Sequence, residues 1–179
     1  GTAEFFIYLE GKKTDLEKKC ISGSCQYSSG IFTFVWKSGH RYHGNSANAT
    51  RNGQGEYQWR ELDGSMDRYE GDWVDGERTG KGIFFWGDGS IYEGDFVEGV
   101  RTGKGKITWV GGNTYEGDWV ENERTGFGVW KNVRDDLSDR VVGETYGGMY
   151  KNNQRHGIGI TSYPDGSYEI ELNNNNERF

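Results

Sequence analysis

A 23-residue sentence returns along this chain. Tyr69–Ile91 reads YEGDWVDGERTGKGIFFWGDGSI, and from Tyr92 the chain continues YEGDFVEGVRTGKGKITWVGGNT. A segment that recurs at a fixed period folds as one small unit stacked on copies of itself. The Tyr-x-Gly openings at Tyr42, Tyr69, Tyr92, Tyr115 and Tyr146 are separated by 27, 23, 23 and 31 residues, and Tyr168 follows at 22 as a degenerate opening. The unit is therefore 23 residues, with four extra residues in one copy and eight in another.

Within the unit the period is two. Tyr69, Gly71 and Trp73 alternate with Glu70, Asp72 and Val74, and Gly82, Phe84 and Trp86 alternate with Ile83 and Phe85. Such alternation predicts strands. Asp75-Gly76-Glu77-Arg78-Thr79 reads as the turn between them, and Gly87-Asp88-Gly89-Ser90 leads to the next Tyr. Each unit is thus a β-hairpin, and successive hairpins pair in one elongated antiparallel ribbon. The class is all-β. Composition agrees: 30 Gly, one Pro and 15% aromatic residues suit a thin sheet that buries rings rather than a thick aliphatic core.

The pleat sends the opening Tyr, the glycines and the rings to one face. The predicted contact set on that face is Tyr69, Trp73, Trp86, Tyr92, Phe96, Trp109, Tyr115, Trp119, Trp130 and Tyr150. The glycines beside them leave room for a neighbouring ring to lie on backbone. Exposed edges of Trp73, Phe96, Trp119 and Trp86 are the expected contacts.

Tyr-Glu-Gly-Asp-Trp/Phe, then Arg-x-Gly-x-Gly, then a closing Asp-Gly or Gly-Asn resembles the MORN (membrane occupation and recognition nexus) repeat family, over about Ser38 to Tyr168. The family's usual His before the first Gly of Gly-x-Gly stands only at His156; Thr79, Thr102 and Thr125 replace it in the better copies. In the first copy Ser46 stands where the strand ring belongs. The expected array spans 27–172, after an N-terminal segment 1–26 and before a polar tail 173–179. Phe32 at the start and Ile170 at the end replace glycines and are expected to close the stack. In the N-terminal segment EFFIYLEG reads as a strand. Thr14-Asp15-Leu16-Glu17 reads as a capping box opening a short helix to about Cys20, and Cys20 and Cys25 read as unpaired thiols, with a disulfide across the short Ile-Ser-Gly-Ser loop as the alternative.

No catalytic motif stands out, and no cofactor or metal is expected. His40, His43 and His156 are too few and scattered for a zinc set, and solvation is the reading for the first two. Each Gly-x-Gly recurs in a strand, so it serves turns and packing rather than phosphate. Glu70/Asp72, Glu93/Asp95 and Glu116/Asp118 form a ladder on the face opposite the rings, read as solvated and partly balanced by Arg78, Arg101, Arg124 and Arg155. Two features break the repeat. The insertion in Lys131–Thr145 has Asp135, Asp136 and Leu137 at its tip and is a candidate binding loop. Ile83 and Phe85, beside Val74, Val97 and Val120, form an apolar stripe that the EFFIYL segment is expected to cover, with a partner-facing surface as the alternative.

The resemblance implies a non-enzymatic protein–protein interaction scaffold of a cytoskeletal, ciliary or membrane-associated assembly. Its partner is a helical or extended segment, and homodimers are common in such families. One alternative is a phosphoinositide or anionic-lipid platform on a row of Arg78, Lys81, Arg101, Lys104 and Arg124. Another is an appendage of a lysine methyltransferase or phosphoinositide kinase whose catalytic domain lies outside this chain. A net charge of −7 weighs against nucleic acid and against lipid. No apolar run reaches the length of a membrane span, and the expected location is intracellular, in cytoplasm or at cytoskeleton or membrane.

Overall fold

The computed structural model describes residues 5–9, 12–14, 30–36, 38–47, 50–133 and 141–173. The chain divides into two compact units, residues 1–87 and 88–179. The first holds β1 (Phe5–Leu9), β2 (Lys12–Thr14), β3 (Gly30–Trp36), β4 (Arg41–Ala47), β5 (Thr50–Arg60), β6 (Met66–Val74) and β7 (Glu77–Phe85). The second holds β8 (Ile91–Val97), β9 (Val100–Thr108), β10 (Thr114–Val120), β11 (Glu123–Lys131), β12 (Thr145–Lys151), β13 (Gln154–Ser162) and β14 (Tyr168–Asn173). Each unit is one antiparallel sheet of stacked hairpins, in order β2-β1-β3-β4-β5-β6-β7 and β8 to β14 in sequence.

The turn inside each repeat is shorter than its sequence suggested. Asp75-Gly76, Glu98-Gly99, Glu121-Asn122 and Asn152-Asn153 alone make it, all with positive φ. Two consecutive left-handed residues match the twist of the flanking strands, which is why Gly and Asn recur here. Glu77, Arg78 and Thr79 already belong to β7. Further along, Gly71 pairs with Gly82 but Asp72 pairs with Thr79, so Gly80 and Lys81 bulge out of the ladder. Gly80 takes φ +58. The Asp72 carboxylate accepts the Lys81 backbone N–H at 3.0 Å, and Asp95 and Asp118 do the same for Lys104 and Phe127. These aspartates therefore hold a bulge as well as forming part of an acidic ladder.

The five opening tyrosines, Tyr42, Tyr69, Tyr92, Tyr115 and Tyr146, are fully buried. Each lies across the second glycine of Gly-x-Gly on its own hairpin. A Cβ at Gly105 would stand 2.2 Å from the Tyr92 hydroxyl, and one at Gly82 2.3 Å from that of Tyr69. Tyr69, Tyr92 and Tyr115 donate their hydroxyls to the carbonyls of Asp72, Asp95 and Asp118 at 3.1 to 3.2 Å. Trp73 and Trp119 instead tie a hairpin to the preceding one. Their indole N–H groups donate to Gly55 and Gly105 carbonyls at 3.0 Å.

Both ends depart from expectation. Phe32 is buried over Gly44, as its replacement of a glycine implied. It does not end the sheet, because β1 pairs with the next edge, Phe5 opposite Trp36. That placement also means that the N-terminal strand extends the sheet rather than covering Ile83 and Phe85. Val74, Val97 and Val120 remain about half exposed. Thr14 closes β2; the rest of the expected helix, both cysteines and the 26/27 boundary lie outside the described residues.

At the other end the phase slips by one. Asp165-Gly166-Ser167 repeats Asp88-Gly89-Ser90, so Tyr168 corresponds to Ile91 and Glu169 to Tyr92. A one-residue shift exchanges the two faces of a strand. Ile170 therefore pairs with Ile160 on the face away from the rings and is exposed, and it does not cap the ring stack. Glu171 stands opposite Gly159 instead.

The ring-on-glycine contact is testable. Gly105→Ala forces a methyl into the Tyr92 ring and is expected to lower stability by about 3 kcal/mol, read as a fall in urea midpoint. Tyr92→Phe removes only the bond to the Asp95 carbonyl and is expected to cost about 1 kcal/mol.

Candidate functional site

The predicted contact rings fall into two classes. Tyr69, Tyr92, Tyr115, Trp73, Phe96, Trp119 and Tyr150 are all buried. They are core, and Trp73, Phe96 and Trp119 offer no free edge. Trp86, Trp109 and Trp130 are half-buried at the ends of their strands, as is Trp59. Periodicity assigns a residue to a face but not to a depth on it. The glycine gaps let the rings sink onto backbone, and edge-to-face neighbours close over them. Tyr92 meets Trp119 at 5.2 Å and Tyr115 meets Tyr150 at 4.9 Å.

The arginines were expected to balance acids on the other face. They lie on the ring face instead, because Arg78, Arg101, Arg124 and Arg155 pair with Trp73, Phe96, Trp119 and Tyr150. The Arg101 guanidinium is 4.7 Å from the Trp119 ring and 5.5 Å from Tyr92. Arg124 lies 5.4 to 5.6 Å from Tyr115, Tyr150 and Trp109. Each also reaches the turn of the next hairpin: Arg101 donates to the Asn122 carbonyl at 3.0 Å and Arg124 to that of Asn153 at 2.7 Å. Arg51 donates to the Gly76 carbonyl in the same way. Burial lowers the affinity of Arg51, Arg78 and Arg124 for their protons. The five residues of the expected lipid row therefore do not form one row. Arg78, Arg101 and Arg124 share the ring face, while Lys81 and Lys104 stand exposed at the bulges on the back face, Lys104 2.5 Å from Asp118.

Sequence reasoning missed one cluster. Arg155 packs on Tyr146 at 3.9 Å and lies 3.2 Å from Glu171 and 3.8 Å from Glu144. Glu171 also bonds the Thr161 hydroxyl. The signal was available in the acid standing where other copies have Gly, once the phase of β14 is set by Asp-Gly-Ser rather than by Tyr.

The candidate loop residues Asp135, Asp136 and Leu137 lie outside the described residues. The neck below them is fixed: Asn132 is fully buried, its side chain donates to the Val141 carbonyl at 3.1 Å, and its backbone N–H donates to Glu144. His40 is half-buried and hydrogen-bonded to the Tyr57 hydroxyl at 3.1 Å, and not simply solvated. Among the described residues no three His, Cys, Asp or Glu side chains converge as a metal site would require.

The MORN repeat family model matches residues 42–61, 69–91, 92–114, 115–132 and 146–168. The chain belongs to the MORN repeat family. The match that ends at Tyr168, like those that end at Ile91 and Thr114, places Tyr168 at the close of a repeat rather than at the opening of one. No individual curated protein matches the chain. A MORN array is a repeat-built interaction or membrane-associated module, and here its ring face carries the only arrangement of cations and half-exposed indoles that recurs with the repeat among the described residues.

Burial raises the pKa of Tyr42 and Tyr150 to about 12, and that of Tyr69, Tyr92 and Tyr115 further still. A raised folded-state value means that the unfolded chain ionises first as pH climbs. Stability is then fully present below pH 10, the ordinary tyrosine range, and falls from about pH 10 through pH 12 and above. Urea midpoints taken across that range should drop, and tyrosinate absorbance should rise together with loss of the strand circular dichroism signal.

Proposed function

We propose that this MORN array is a protein-binding scaffold whose ring face takes an acidic segment of a partner, helical or extended. The observation that carries this reading is the row of half-buried tryptophans set beside partly desolvated guanidiniums. In the 88–179 unit Trp109 stands 5.6 Å from Arg124; Trp130 stands 5.8 Å from Arg155, whose charge Glu144 and Glu171 already balance, so that this indole supplies apolar area alone. A partly buried indole supplies apolar area at small entropic cost, and a guanidinium beside it favours a carboxylate over a cation. Repetition suits an elongated ligand with anchors at intervals rather than a small substrate. In a cytoskeletal or membrane-associated assembly such a face would hold a partner segment in place while the sheet itself stays unchanged.

Selection of displayed peptides against the 88–179 surface tests this. Peptides enriched in Asp or Glu with apolar anchors are expected. Trp109→Ala and Trp130→Ala should each weaken binding about 10- to 100-fold while circular dichroism is unchanged, because neither ring belongs to the fully buried set. Selected peptides that are basic, or that bind both variants as tightly as the parent, would overturn the reading.

A further inference from the structure

The four extra residues of the first copy lie between Trp59 and Tyr69, and they carry the β5–β6 hairpin past its neighbours. Beside that overhang the ring face of the 1–87 unit holds a row of tryptophans. Phe34 pairs with Tyr42, and Tyr42 with Tyr57; Tyr57 pairs with Tyr69, and Tyr69 with Phe84. Two residues beyond Phe34, Tyr57 and Phe84 stand Trp36, Trp59 and Trp86, so the three occupy one level on every second strand. Strands lie about 4.8 Å apart, which sets neighbouring members of the row about 9.6 Å apart.

All three are half-buried. Trp36 meets Tyr57 edge-to-face at 5.8 Å, and Trp59 meets Phe84 in the same way at 5.4 Å. Each of these indoles therefore leans over a ring of the hairpin that follows it. The strands between contribute His40 and Asp67 at this level, and both are held down: His40 bonds the Tyr57 hydroxyl at 3.1 Å, and buried Asp67 accepts the Gly87 N–H at 2.9 Å. The row is a series of indole ridges with Tyr57 and Phe84 at their feet.

The polar groups around the row are already engaged. Glu61 accepts the Trp59 indole N–H, Asp63 accepts the Ser65 N–H at 2.9 Å, and Arg60 donates to the Gly64 carbonyl at 2.8 Å. A sugar, whose hydroxyls must be bonded again once they leave water, meets few partners here. A polyproline II helix asks for less. Its prolines carry no N–H, three residues make one turn, and a turn rises about 9.3 Å. One proline per turn then meets one indole per hairpin. The overhang adds a charge requirement. Glu61 and Asp63 are exposed on it, while its cation, Arg60, stands on the face of β5 opposite Trp59. The arginines of the ring face spring from the other ends of the strands, Arg51 in β5 and Arg78 in β7. A basic side chain between the prolines complements this end of the sheet.

We infer that the row of Trp36, Trp59 and Trp86 binds a proline-rich segment of a partner protein, in polyproline II conformation, with Arg or Lys between its prolines. The segment runs across the strands and lays its prolines on the indoles, and its basic residue reaches Glu61 and Asp63. The inference does not rest on the 88–179 rings taking an acidic segment.

Synthetic peptides titrated against the whole chain, by tryptophan fluorescence and calorimetry, test this. A peptide with proline at every third position, alanine elsewhere and two arginines beside the central proline should bind in the micromolar range. The same composition with proline at every fourth position should bind about 10-fold more weakly, because its prolines fall out of step with the indoles. Glutamate in place of both arginines should weaken binding further. Trp59→Ala should cost about 10-fold or more. Because that ring also packs on Tyr57, a second variant guards against loss of fold: Glu61→Gln with Asp63→Asn retains acceptors for both hydrogen bonds and should keep the parent's circular dichroism. It should weaken the arginine peptide several-fold and leave an all-alanine version of the same proline peptide unchanged. No binding of the first peptide, equal binding of the out-of-step peptide, tighter binding of the glutamate peptide, or saturation of the same fluorescence change by a cello-oligosaccharide would each overturn the proposal.

Discussion

A tyrosine ring lying on a glycine is the contact that the rest of each repeat depends on. The tyrosine can be buried in so thin a sheet only because the residue diagonally across from it, two before its cross-strand partner on the second strand, has no side chain. Gly55, Gly82, Gly105, Gly128 and Gly159 each give up a Cβ to one ring. Once the ring is down, its hydroxyl bonds the carbonyl beyond the bulge, and its face is open to the arginine of the second strand. The bulge then sets which way that strand's glycine points. Sheet, bulge and cation layer are thus one arrangement, repeated.

The links between repeats run in opposite directions along the chain. The tryptophan reaches back to a glycine carbonyl of the preceding hairpin, while the arginine reaches forward to the carbonyl of the next turn. Arg51, Arg101 and Arg124 are each bound both by rings and by a backbone oxygen, so their charge stays on the ring face rather than moving with solvent. A partner with carboxylates would meet cations already in position, at smaller ordering cost than flexible lysines would demand.

Much of this was legible in the sequence, and the limits have physical causes. The period of 23, the alternation of two and the Asp-Gly turns identified stacked hairpins, because turn chemistry and pleat are local properties. Which rings are core and which are rim was not legible. Trp119 and Trp130 share a face, yet one sinks between hairpins and the other ends a strand. The arginines were assigned to the wrong face because Asp75 to Thr79 was read as the turn; once β7 begins at Glu77, alternation from Gly82 puts Arg78 on the ring face, and the two-residue bulge at Gly80-Lys81 keeps that parity. Tyr168 misled for a simpler reason. A conspicuous residue was used as the ruler where the Asp165-Gly166-Ser167 turn keeps better time.

That slip at β14 has a consequence for growth. A strand at the end of a sheet is a template on which another chain can add. In this family a new second strand gains its stability by placing Gly-x-Gly under a waiting tyrosine. At β14 the places of Tyr, Gly and ring are taken by Glu169, Glu171 and Asn173. Glu171 is already engaged with Arg155, and Asn173 donates to the Tyr146 hydroxyl at 3.3 Å. An incoming hairpin would find hydrogen-bonding groups along the backbone but no ring to receive its glycines. By shifting one residue the chain turns its last strand into a terminator, and strand-by-strand lengthening into fibres loses its reward.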